Sequence, residues 1–211
     1  MNRATGRRWM NGTIGMARGM TLGRVVGMAL GMVTATVAAQ EFPGGKPVRM
    51  LIGFAPGGGT DIQARQVAPK LSEVLGVPVI VENRPGASTM LAGQEVARAA
   101  PDGHTIWYSF SGAFAQNPHT LINMLYDPFR DFTPISLGAT GPTVLVTHPS
   151  VATGSLKEFV AWAKGNSGKV AYASFGTGTS AHIFGEMLAQ QTGIDMVHVP
   201  YNGDGDAAND F

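Results

Sequence analysis

The stretch VRMLIGFAPGGGTDIQARQVAPKLSEVLGVPVIVEN occupies residues 48–83, and its changes of period decide the fold. VRMLIGF (48–54) is a short apolar run, the pattern of a strand buried on both faces. Pro56-Gly57-Gly58-Gly59-Thr60-Asp61 breaks it. Ala64, Val67, Ala68, Leu71, Val74 and Leu75 then recur at helical spacing, and Gly76 stops the helix. Pro69 falls inside, where it removes one backbone hydrogen bond or kinks the helix. VPVIVEN (77–83) is a second strand. Arg84-Pro85-Gly86 turns into a helix expected from Ser88 to Ala100, and TIWYSF (105–110) is a third strand. Strand, helix, strand, helix, strand with short crossovers implies an α/β fold, with parallel strands and helices on both faces.

The theme returns downstream. FTPISLGAT (132–140) and TVLVTHP (143–149) read as strands after a loop around Asn117–Asp131. SLKEFVAWAKGN (155–166) is an amphipathic helix capped by Ser155, with Glu158 as capping-box partner. VAYASF (170–175) is a strand, GTGTS a turn, AHIFGEMLAQQTG a helix and MVHVPY (196–201) a strand. Two α/β lobes follow, residues 40–112 and 113–211, each offering a Gly-rich helix start to a shared cleft. NGDGDAANDF (202–211) opens a further helix with no closing apolar element after it. The second lobe is expected to be incomplete and the chain truncated at its C-terminal end.

Of 15 Lys and Arg, five (Arg3, Arg7, Arg8, Arg18, Arg24) lie in residues 1–39, which hold no acid. Residues 40–211 carry the other ten against all 14 acids, so the body is mildly acidic and a poor nucleic-acid binder. VVGMALGMVTATVA (25–38) is uncharged and shorter than the roughly 20 residues of a membrane span. With the basic stretch before it and Val37-Ala38-Ala39 at its end, it reads as a signal peptide cleaved after Ala39. The expected product is exported, free of the membrane and monomeric. The chain has no Cys, so no disulfide framework or thiolate metal cluster forms.

The Gly-rich turns carry the chemistry. Gly57, Gly58 and Gly59 let a ligand approach backbone N–H groups, and a helix start attracts an anion. Micromolar binding needs about 8 kcal/mol, and a charge-assisted hydrogen bond supplies about 1.5–3. One turn is too little; Gly176-Thr177-Gly178-Thr179-Ser180 supplies a second set of donors. Asp61 reads as a helix-start acid that meets a ligand cation or orders a loop amide. His182 lies in the first turn of the helix after the second loop. His104 and His198 read as structural.

Two other readings compete. Glu82 lies 23 residues after Gly59, as in a dinucleotide fold, but the glycines are consecutive and no phosphate-loop lysine follows. An exported α/β enzyme acting on a carboxylate or phosphate ester needs a base and a nucleophile. There is no G-x-S-x-G elbow, and the five histidines share no metal-ligand spacing.

VRMLIGFAPGGGTDIQAR, VIVENRPGAS, AAPDGHTIWYS, YDPFRDFTPIS, GTGTSAHIFGEML and VHVPYNG occur in one order over nearly all of residues 46–203. Together they resemble the substrate-binding proteins of tripartite tricarboxylate transporters, the Bug-type receptors. The resemblance implies a periplasmic-binding-protein-like fold without cofactor, metal or catalysis. It implies capture of a small carboxylate, a di- or tricarboxylate or an acidic amino acid, and its delivery to the membrane subunits of the transporter. It implies that the loops at 56–61 and 176–182 cradle carboxylate groups. The ligand-binding residues would then be Phe54, Gly57, Gly58, Gly59, Asp61, Thr177, Thr179, Ser180 and His182. Ser109 and Ser111 would line the cleft, and Tyr201 would close it. Asn202 departs from the family pattern, which has Lys after the Tyr.

Overall fold

The computed structural model describes residues 42–151 and 153–210, all within the unit Ala39–Phe211. The leader reading of residues 1–39 lies outside the described residues.

Strand β1 (Val48–Ile52) is the centre of the first sheet. Val48, Met50, Leu51 and Ile52 are all buried. Such a strand can run without polar alternation because both of its faces are covered. β2 (Val79–Asn83) and β3 (Thr105–Trp107) flank it, both parallel, in the order β2-β1-β3. Val48 pairs with Val79 and Arg49 with Thr105. Helix α1 (Gly59–Leu75) joins β1 to β2 and runs unbroken through Pro69. It stops at Gly76, whose φ of 69° is left-handed. Met50, Ile52, Phe54 and Ala64 form the core here, with Leu71, Val81 and Phe110 packed against them. Each fully buried apolar side chain of this size contributes about 1.5–3 kcal/mol.

Helix α2 (Met90–Arg98) joins β2 to β3 and is shorter than the expected 88–100. Ala87, Ser88 and Thr89 have positive φ, so the first turn cannot start at Ser88. β3 ends at Trp107, not at Phe110, because β1 offers partners only at Arg49, Met50 and Leu51. Short helices α3 (Gly112–Ala115) and α4 (Asn117–Thr120) follow, where a loop was expected to start at Asn117.

The second sheet pairs β4 (Val170–Ser174) with β5 (Met196–Pro200), parallel, Val170 opposite Met196. α5 (Leu156–Gly165) precedes it. Ser155 accepts from Glu158 N–H, and the Glu158 carboxylate reaches back to Gly154 N–H at 2.7 Å, one residue beyond the expected box. α6 (Ser180–Thr192) joins β4 to β5, and α7 (Asp204–Asp210) follows β5. Phe159, Ala163, Val170 and Ile194 form the second core.

Residues 132–140 and 143–149 form no strand, against expectation. The β pattern is present, but among the described residues no backbone pairs with either segment. Their apolar side chains therefore stay outside: Ile135 and Leu137 are 80% and 76% exposed.

Candidate functional site

Both Gly-rich turns leave the C-terminal ends of parallel strands, where α/β sheets place their ligands. Gly57 has φ 88°, a conformation a Cβ would strain. Gly58, the N-cap of α1, has an ordinary extended φ of −78°, so its lack of a side chain serves space and not backbone freedom. A Cβ there would overlap the carboxylate of Asp204, and one on Gly59 would lie 3.1 Å from it. Gly59 N–H donates to Asp204 Oδ2 at 2.9 Å.

Asp61 is buried beneath this turn. Its carboxylate accepts from Gly57 N–H at 3.0 Å, Asn83 Nδ2 at 2.9 Å and Arg65 Nε at 3.0 Å. Burial pushes its pKa up, but the bonds from Arg65, Gly57 and Asn83 outweigh burial and hold it below the ordinary value. Asp61 thus orders a loop amide, one of its two expected tasks.

The second turn is held in the same way, by its own chain. Thr179 is fully buried, with its hydroxyl committed to the Gly176 carbonyl at 2.6 Å. Gly178 N–H donates to His182 Nδ1 at 3.1 Å. Ser180 begins α6, and Thr177 is exposed.

The chain after β1 and before α2 meets the chain that follows β4 and β5. Ser88 Oγ donates to the Thr177 carbonyl at 2.6 Å, and Ala55 N–H to the Asn202 carbonyl at 3.0 Å. The Phe54 ring packs on Phe110 and Phe175, with centroids 5.3 and 5.9 Å away. A cleft of ≈ 420 Å³ opens between Phe54, Ser88, Thr89, Phe175, Thr177 and Tyr201. A second cavity, ≈ 370 Å³, lies beside His182, Thr177, Thr120 and Glu186. Neither is lined by Lys or Arg, so an anion there would rely on N–H and hydroxyl donors.

Of the expected residues, Phe54, Thr177 and Tyr201 line the larger cleft and His182 the smaller. Gly57, Gly58 and Gly59 sit at the α1 start, outside both linings. Ser109 has a buried hydroxyl without a partner, and Ser111 is exposed at the N-cap of α3. Tyr201 donates its hydroxyl to Asp210, which raises its pKa.

Sequence reasoning missed two features. The strained Ala87–Thr89 turn lines the larger cleft, yet Ser88 read as a plain helix start. Asp204 read only as part of a coming helix. Neither carries a local signal, since each role depends on a segment far along the chain.

His198 is structural, as expected. Its Nε2 lies 2.7 Å from Ser174 Oγ, and its ring stacks on His182 at 4.0 Å. Burial, then His182, lower its pKa from the ordinary 6.5, against an opposing pull from Glu186. The fold favours the neutral ring, so the unfolded chain takes up its proton first as pH falls. The stability this supplies is present above 6.5 and is lost as pH drops toward the depressed value. The melting temperature is expected to fall as pH drops through 6.5 toward the depressed value, and His198→Gln to flatten that slope. An unchanged slope in the variant would contradict this.

Among the described residues no group of three His, Asp or Glu is arranged to hold a metal, and no helix is long and apolar enough to cross a membrane.

Known proteins are similar to this chain in sequence or in structure. A UPF0065 protein of Bordetella pertussis is 44% identical over 168 residues, covering 79% of this chain and 51% of its own. BugT of the same organism is 36% identical over 180 residues, covering 85% and 55%. Among solved structures, R. palustris Rpa4515 with adipate matches with a TM-score of 0.75 and 31% identity, over 78% of this chain and 55% of its own. MatC of Rhodopseudomonas palustris with bound malate gives 0.70 and 30%, over 77% and 55%. The periplasmic binding protein BugD gives 0.65 and 32%, over 78% and 55%. The chain thus spans about half the length of the curated relatives it matches. Residues 63–211 match the model of the tripartite tricarboxylate transporter family receptor, and the chain belongs to that family of solute-binding proteins, not to an enzyme family.

Proposed function

We propose that this chain is the ligand-capturing part of a periplasmic receptor for a small carboxylate. Residues 40–112 and 113–211 are its two lobes. The leader is removed after Ala39, so N-terminal sequencing of the exported protein should begin at Gln40. The carboxylate sits between the turns at 56–61 and 176–182. Phe54, Thr177, His182 and Tyr201 contribute side-chain surface, while Asp61 and Thr179 hold the loops. Closure of the lobes presents a face to the membrane subunits of a tripartite transporter.

The observation that supports this reading is the α1 start, where the carboxylate of Asp204 accepts from the Gly59 N–H. The neighbours solved with adipate and with malate support the ligand class. Thermal-shift and calorimetric screening in a chelating buffer tests it. Straight-chain dicarboxylates are expected to raise the melting temperature and to bind saturably, and sugars and polyamines to do neither. Stabilisation by sugars alone, or binding that requires a divalent cation, would overturn the proposal.

A further inference from the structure

The 176–178 turn is a wall shared by the two cavities, since Thr177 lines both. An imidazole holds each end of it. His182 Nδ1 accepts from Gly178 N–H at 3.1 Å. His198 Nε2 lies 2.7 Å from Ser174 Oγ, which accepts from Gly176 N–H at 3.2 Å. The carbonyls of the turn accept from the first part of the chain: Thr177 from Ser88 Oγ at 2.6 Å and Gly178 from Thr120 Oγ1 at 3.4 Å.

The bond to Gly178 fixes the tautomer of His182. A ring nitrogen that accepts carries no proton, so the neutral ring has its N–H at Nε2. Three titratable groups face this ring. Glu186 of α6 has its carboxylate 3.9 Å from Nε2. His198 of β5 stacks on it with centroids 4.0 Å apart. Tyr172 of β4 donates its hydroxyl to Glu186 at 2.6 Å, and burial, then that bond, push its pKa up, so it stays a donor. Thr120 is the uncharged neighbour from α4, and no Lys or Arg lines the cavity. A proton on Nδ1 would set two N–H donors against each other at Gly178. The fold resists charge on His198, whereas the Glu186 carboxylate offers a charged His182 a partner. The ring therefore has two arrangements: neutral and holding Gly178, or charged, paired with Glu186 and parted from Gly178.

We infer that His182 is a positioning residue for ligand capture: its neutral ring holds the 176–178 wall in place, and its protonation releases that wall and weakens capture in the larger cleft. The effect on capture rests on the receptor reading above. The release of the turn stands on the hydrogen bond alone.

The test follows the Gly178 amide resonance of the ligand-free protein, and succinate binding by calorimetry, from about pH 8 to about pH 5, the span over which histidine changes charge. The parent is compared with His182→Asn, whose side-chain oxygen can accept from Gly178 but takes up no proton, and with His182→Phe, which keeps a ring and loses the acceptor. The Gly178 resonance is expected to titrate in the parent and to stay put in His182→Asn. Parent affinity relative to His182→Asn is expected to fall about tenfold on acidification, the scale of one hydrogen bond. Protonation of succinate itself affects both proteins alike. His182→Phe should bind weakly throughout, with its Gly178 resonance displaced at every pH. A parent resonance that does not titrate, or one that moves as far in His182→Asn, would overturn the role of His182. A resonance that titrates only in the parent, with the affinity ratio unchanged, would overturn its control of capture. The same resonance pattern with no succinate binding to any of the proteins at any pH would overturn the receptor reading, and the control of capture with it.

Discussion

Gly58→Val is expected to weaken dicarboxylate binding by about fiftyfold, the loss of one charge-assisted hydrogen bond of about 1.5–3 kcal/mol. The reason is space. Gly58 has φ −78°, which valine adopts without left-handed strain. Its added carbon would occupy the position now held by the Asp204 carboxylate. That position is also where a ligand carboxylate would reach the Gly59 N–H. Ser111→Ala is the control. It removes one exposed hydroxyl and is expected to cost about tenfold at most. Calorimetry on variants with unchanged circular dichroism gives the comparison. If Gly58→Val bound as tightly as the parent, the turn would be a tight connection and nothing more.

Asp61→Asn is expected to cost about 3 kcal/mol of stability, or roughly 6–12 °C in melting temperature for a body of this size. An amide in place of the buried carboxylate turns an NH₂ toward donors. Gly57 N–H and Asn83 Nδ2 then compete for a single oxygen. The half-exposed Arg65 adds little to this figure, because solvent screens its charge. The pH dependence has a definite sign. A carboxyl held below its ordinary 3.8 supplies stability that is present above that value and lost as pH falls through the depressed one. The parent should therefore lose stability in acid faster than the variant. Equal melting temperatures at neutral pH would show that Asp61 does not hold the turn.

Much of the frame was legible from residues alone. The buried run at 48–52 and the spacing of Ala64, Ala68 and Leu71 specify a parallel βα unit. Ser155 with Glu158 specifies the start of α5. These signals are local, and burial later reinforces them. The failures are non-local. Ile135, Leu137 and Val144 have the composition of strands, but a strand forms only where another backbone accepts its hydrogen bonds. The Ala87–Thr89 turn holds three non-glycine residues in a conformation glycine favours, so no residue preference announces it. The same holds for the site. The glycines of both turns stand out in the sequence, whereas the carboxylate resting on one of them comes from Asp204, far along the chain.

The most direct measurement is a crystal structure of the protein grown with a straight-chain dicarboxylate. The expected density has one carboxylate on the Gly59 N–H, with Asp204 withdrawn, and the other within hydrogen-bond reach of the 176–182 turn. A dicarboxylate bound elsewhere, with Asp204 still on Gly59 and the 176–182 turn unoccupied, would contradict the account.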